Sequence, residues 1–101
     1  DSRAIIVSKS GKVTELSYDH KPDNDGEMRR IKAAGGYVED GRVQGIIAVS
    51  RAIGDWEYKN AKLPAQKMAV SSYPDVSKTA ITQDMQFIIC ACDGIWDCMT
   101  S

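Results

Sequence analysis

The sequence predicts an α+β fold whose strands connect mainly antiparallel. Three observations carry that expectation. Apolar, β-branched runs at residues 3–8 and 87–92 have strand length and contain no proline. One segment, residues 24–34, has apolar side chains at roughly helical spacing between a start signal and a glycine stop. The remaining links are too short for the helical crossovers that parallel strands require.

The first run contains Ala-Ile-Ile-Val and leads through Lys9-Ser10-Gly11, a plausible hairpin turn, into residues 12–16, where Val13 and Leu16 are the apolar positions. Residues 17–25 are polar, with His20-Lys21-Pro22 marking a loop. Asn24 reads as a helix N-cap, and Glu27 stands where a capping box would reach back. Met28, Ile31 and Ala34 then form the apolar stripe, and Gly35-Gly36 ends the helix in a left-handed cap. Arg29, Arg30 and Lys32 read as a solvated outer face, favoured near the helix C-terminus.

Short β-like pieces follow at residues 37–38 and 46–48, joined through Gly41, Arg42 and Gly45 as a mobile excursion. Residues 50–55 are too short for a long helix, and residues 60–67 read as a loop. Two further strand segments are expected at 69–73 and 75–81, with Pro74 at an edge or bend. Residues 82–85 turn into the last strand, which reads as buried on both faces. A helix is expected to begin within 95–99.

Length and an apolar content of 43% suit one small domain with a modest core. The 13 basic and 14 acidic side chains are well mixed, so no basic stripe suggests nucleic acid. No apolar run approaches a membrane span, and no signal-peptide pattern opens the chain. The first residue is not methionine, which is the expectation for a portion of a longer chain whose true ends lie elsewhere. Three cysteines, an odd number, argue against a disulfide framework. Cys90 and Cys92 share one strand face and read as small buried residues in a reducing, cytoplasmic or nuclear setting. A zinc site would want clustered histidines or a Cys-x-x-Cys pair, and the only histidine is His20.

The chemistry-bearing stretch is Cys92-Asp93-Gly94-Ile95-Trp96-Asp97. Asp93 stands where the strand ends, and Asp97 follows one helical turn later, so both carboxylates share a face. Two anions held together call for a cation. The alternative is that Asp93 caps a helix and Asp97 is a solvated acid. Asp1, immediately before the first strand, is a turn residue or a further oxygen ligand.

Asp1-Ser2-Arg3, Asp19-His20-Lys21-Pro22, Ala33-Ala34-Gly35-Gly36, Gly41-Arg42-Val43, Ser50-Arg51-Ala52-Ile53-Gly54-Asp55 and Cys92 to Asp97 also stand in a familiar order and spacing. In them the chain resembles, over its whole length, the metal-dependent protein serine/threonine phosphatases of type 2C. That resemblance implies a four-layer fold, an antiparallel β-sandwich flanked by helices, of which this chain is an incomplete central portion. It implies hydrolysis of phosphoserine and phosphothreonine in phosphoproteins by metal-activated water, with Mg2+ or Mn2+, two or three ions per complete domain. Asp93 then matches a ligand of the central metal pair, while Asp1 and Asp97 match ligands that hold a third ion with it. Residues 20–59 resemble the flap subdomain that tunes substrate choice, and Arg42 within it is a candidate substrate contact or a structural residue.

The family's Asp-Gly-His-Gly-Gly segment and its final Gly-x-Asp-Asn ligand are not in this chain, so the portion alone is expected to be inactive. Its uncovered sheet edges are expected to promote self-association. The other reading is part of a pseudophosphatase that acts as a binding or scaffold module.

Overall fold

Four consecutive apolar side chains, Ala4, Ile5, Ile6 and Val7, suit the first strand to the centre of a sheet, where side chains on both faces are covered and both edges are paired. In the computed structural model, which describes residues 1–101, the elements are strands β1 (Ser2–Ser8) and β2 (Val13–Glu15), helix α1 (Asp25–Ala33), strands β3 (Val38–Glu39), β4 (Arg42–Val43) and β5 (Met85–Cys92), and a one-turn helix α2 (Asp93–Trp96). Single 3₁₀ turns lie at Trp56–Tyr58 and Ala65–Lys67. All strand pairs are antiparallel, as expected for an α+β chain with short links. The chain divides into two compact units, a sheet unit (Asp1–Asp19 with Val76–Ser101) and a helix unit (His20–Asp75).

The sheet unit has strand order β2-β1-β5. The β1–β2 turn closes through Gly11 N–H to the Ser8 carbonyl at 3.0 Å, with Gly11 at φ 83. Ser8 Oγ accepts from the Lys12 amide at 3.0 Å. The β1–β5 register runs from Ser2↔Cys92 to Val7↔Phe87 and slips by one residue before Ser8↔Met85. Ile5 and Ile6, on opposite faces of the middle strand, are 3% and 5% exposed.

The last strand does not have the two buried faces its composition predicts. Phe87, Ile88 and Ile89 are exposed, because β5 is an edge strand and a one-turn helix supplies too few side chains to cover it. Cys90 and Cys92, expected in the interior, are free and exposed for the same reason, as is Cys98.

The helix unit is built around α1. Its end is a Schellman cap: Gly36 N–H donates to the Ile31 carbonyl at 2.9 Å and Gly35 N–H to the Lys32 carbonyl at 3.0 Å, with Gly35 at φ 87. The start differs from expectation. Asn24 holds the N-cap position without a side-chain capping bond, and Glu27 does not reach back to complete a box. It turns instead to Arg30 and Arg51, since two guanidinium groups outbid one backbone amide.

The core of this unit is Ile31, Val43, Tyr58, Ala69 and Val70. Val43 reaches it because the expected mobile excursion is in fact two tight turns. Asp40 and Gly41 (φ 51 and 69) join β3 to β4, and Gln44 and Gly45 (φ 53 and 69) fold the chain back so that Val43 bridges Ile47. Paired left-handed residues match the right-handed twist of adjacent strands.

The strands expected at 69–73 and 75–81 do not form. Residues 69–71 are buried, but their only sheet contact is an isolated parallel bridge, Arg51↔Ser71. Residues 75–81 have no regular structure and are exposed. A strand needs a neighbour of matching length, and neither segment has one.

Candidate functional site

In the sheet unit the strand-to-helix corner after β5 is locked by Trp96. Its indole N–H donates to the Ala91 carbonyl at 2.7 Å and lies 3.3 Å from that of Arg3. The Arg3 guanidinium stands 5.0 Å from the Trp96 ring centroid, a cation–π contact. Arg3 is itself held by a bidentate pair with Asp19, at 3.0 and 2.8 Å, and by a bond to Ser101 Oγ at 2.7 Å. That pairing with Asp19 is the main reason the Arg3 guanidinium binds its proton more tightly than usual.

Asp93 opens α2 and Asp97 closes it, the Asp97 amide donating to the Asp93 carbonyl at 2.8 Å. Both residues are exposed, and neither carboxylate enters an ion pair. The β1–β5 register ends at Ser2↔Cys92, so Asp1 and Asp93 each stand one residue along the chain from that last pair. No three His, Cys, Asp or Glu side chains converge tightly enough to hold a metal ion. The donor chemistry suits a hard divalent cation, which prefers carboxylate oxygen. The number of donors does not: this chain by itself brings too few to close a coordination shell.

Arg42 lies in the other unit, on β4. It is exposed, and its Nη1 donates to the Ile46 carbonyl at 2.8 Å, bracing the second tight turn. Its fork has further donors.

The helix unit also holds a charge network that the spacing of charges did not reveal. Arg30 donates to Glu27 and to the carbonyls of Met68 (2.9 Å), Ser50 (2.7 Å) and Ala69 (3.3 Å). Far from solvated, its side chain is 13% exposed. Arg51 grips Glu27 at 2.5 Å and Asp75 at 2.8 Å, and His20 Nε2 meets the other Asp75 oxygen at 2.8 Å. Burial works to raise the Glu27 carboxyl, but Arg51 and Arg30 outweigh it and hold it below the usual carboxylate range. Asp75 is likewise held low, chiefly by its bond from Arg51 and then by His20. Every buried side-chain polar atom has a partner.

A profile of the protein phosphatase 2C family matches residues 1–101, the whole chain. Among curated relatives, protein phosphatase 2C homolog 3 of Schizosaccharomyces pombe is 54% identical over 101 residues, which is all of this chain and 24% of the relative. Protein phosphatase 2C homolog 2 of Aspergillus fumigatus is 51% identical over 102 residues, again all of this chain and 24% of the relative. A solved phosphatase from Toxoplasma gondii superposes with a TM-score of 0.76 at 41% identity, covering 93% of this chain and 29% of that one. The chain therefore spans about a quarter of the length of the curated relatives it matches.

Proposed function

The chain belongs to the protein phosphatase 2C family, and on that premise we propose that it supplies Asp93, Asp97 and Asp1 to the metal centre of a protein serine/threonine phosphatase. One observation carries the reading. Two exposed carboxylates, free of any ion pair, are fixed at a strand-to-helix corner that Trp96 and Arg3 hold rigid. Carboxylates kept clear of the chain's own cations are available to a foreign one.

Magnesium or manganese, when held there by Asp93, Asp97 and Asp1, would supply charge neutralisation for a phosphoryl group and activation of water. The chain's own part is to position oxygen ligands, with the remaining donors coming from the rest of the polypeptide. Phosphoserine and phosphothreonine in phosphoproteins are the substrates. Within the helix unit, residues 20–59 serve as the flap that tunes substrate choice, and Arg42 offers its unused guanidinium N–H groups to the substrate.

The test is hydrolysis of a phosphothreonine peptide by the complete polypeptide, with and without Mn2+ or Mg2+, beside the 101-residue chain. The expected result is turnover by the complete polypeptide that stops on chelation, and none by the short chain. Turnover that survives chelation, or turnover by the short chain alone, would refute the proposal. A complete polypeptide that folds and binds phosphopeptide without turnover would support a pseudophosphatase scaffold instead.

Self-association of this chain is part of the same reading. The outer edge of β5 is unpaired, and the strand Met-Gln-Phe-Ile-Ile-Cys-Ala-Cys carries no charge to keep a second copy away. Sedimentation of the 101-residue chain is expected to show dimers or larger species at high concentration. Ile88→Lys, placing an exposed charge on that strand, is expected to shift them to monomer. A wild-type chain that stays monomeric would count against edge pairing.

A further inference from the structure

The turn between Ala52 and Lys59 displays two large apolar side chains to solvent. Ile53 is 94% exposed and Trp56 78%. Between them Gly54 and Asp55 are both left-handed, at φ 85 and 51, a conformation that a non-glycine residue adopts at a cost. The turn is nonetheless stiff. Lys59 Nζ donates to the Ala52 carbonyl at 2.8 Å and to the Gly54 carbonyl, and lies 5.8 Å from the Trp56 ring centroid. The Tyr58 and Lys59 amides close the 3₁₀ turn onto the Asp55 and Trp56 carbonyls at 3.0 and 3.1 Å. Ile53 also rims a cavity of about 360 Å³ that Tyr73 and Pro74 help to line.

An exposed tryptophan on a pre-organised turn has the character of a binding hot spot, because little side-chain or backbone freedom remains to be lost on association. The local charge identifies the kind of partner. Asp55 and Glu57 are exposed carboxylates on either side of Trp56. The one cation of the turn, Lys59, donates to backbone carbonyls and forms no ion pair with either carboxylate, so the turn keeps an excess of negative charge. The surface is therefore apolar and anionic.

We propose that the Ile53–Trp56 turn is a docking site for a protein segment carrying an apolar side chain beside lysine or arginine. The apolar group packs on Ile53 and Trp56, and the cation lies against Asp55 and Glu57. This reading is independent of the metal centre.

The experiment uses the complete polypeptide and three fluorescein-labelled synthetic peptides, alternating leucine with arginine, leucine with glutamate, or glycine with arginine. Fluorescence anisotropy is expected to show saturable binding of the leucine–arginine peptide only. Trp56→Ala and Ile53→Ser are each expected to weaken it about tenfold or more. Asp55→Asn with Glu57→Gln is expected to weaken it about threefold and to flatten its salt dependence. Asparagine tolerates the left-handed backbone at position 55, so that pair keeps the turn. Circular dichroism should be unchanged throughout. Ile53→Ser, which touches no part of the Lys59 clamp, serves as a second apolar variant should Trp56→Ala disturb the turn. Absence of saturable binding, equal binding by both apolar variants, or equal binding of either control peptide would overturn the proposal.

Discussion

On the proposed ligand role, Asp93→Asn is expected to lower kcat/KM for phosphopeptide hydrolysis by the complete polypeptide by about a hundredfold or more, because even groups one shell further from a metal cost roughly ten- to a hundredfold when changed. The substitution keeps the shape of the side chain and one of its two oxygens, and removes its charge. An amide oxygen binds a hard divalent ion more weakly than a carboxylate and neutralises none of its charge. Asp93 is exposed and outside the ion-pair network, and the corner it occupies is fixed by Trp96. The fold should therefore be untouched, with the same far-ultraviolet spectrum and the same denaturation midpoint. Metal titration by calorimetry separates the two explanations for lost activity: weaker Mn2+ binding is expected, with phosphopeptide affinity in the absence of metal unchanged. An Asn variant with parental turnover and parental Mn2+ affinity would remove Asp93 from the ligand set.

The strand exit was legible from local pattern, whereas the ligand role of Asp93, Asp97 and Asp1 came from the family resemblance and the pairing of the first and last strands from the structure. An apolar run stopped by Asp-Gly reads as the end of a strand, so Asp93 and Asp97 could be placed at its exit and Asp1 just before the first strand. The same holds for Gly35-Gly36, where a left-handed residue directly after an apolar stripe leaves only one way to satisfy the last helical carbonyls. The tight turns at Asp40-Gly41 and Gln44-Gly45 carry glycines that the sequence flagged. Glycine marks a bend without saying whether it is stiff, however, and here paired left-handed residues make it so.

Burial proved harder to read, because it belongs to the assembly of elements and not to the segment. Phe87, Ile88 and Ile89 look like interior residues and lie exposed, since the elements of this chain cannot cover an edge strand. Arg30 errs in the opposite direction. As one of several basic residues near a helix end it looked solvated. Yet it lies three residues after Glu27, a buried residue of α1, and so on that side chain's face of the helix. Counting from Glu27 and not only through Met28 would have drawn Arg30 inward.

Arg30→Met is expected to destabilise this chain by about 3 kcal/mol, the size found when one partner of a buried ion pair is removed. Methionine keeps most of the aliphatic stem, so packing loss is small and the effect isolates the guanidinium. What that group replaces is a missing strand. Residues 68–71 run buried or half-buried without a ladder beside them, and the carbonyls of Met68 and Ala69 take their hydrogen bonds from Arg30 instead. Remove the fork and those carbonyls stay buried without donors, next to a Glu27 carboxylate that retains only Arg51. Arg51→Met should cost less, since its side chain is 21% exposed and its second partner, Asp75, is 69% exposed and easily rehydrated. Adding Glu27→Gln to Arg30→Met should cost less than the sum of the two single changes, because the charge left poorly paired is then gone. Urea denaturation at low protein concentration, followed by hydrogen exchange at Val43 and Val70, provides the measurement. Should Arg30→Met and Arg51→Met cost the same, the carbonyls of 68 and 69 are not held by the guanidinium, and the segment must be kept in place by the packing of Val70 alone.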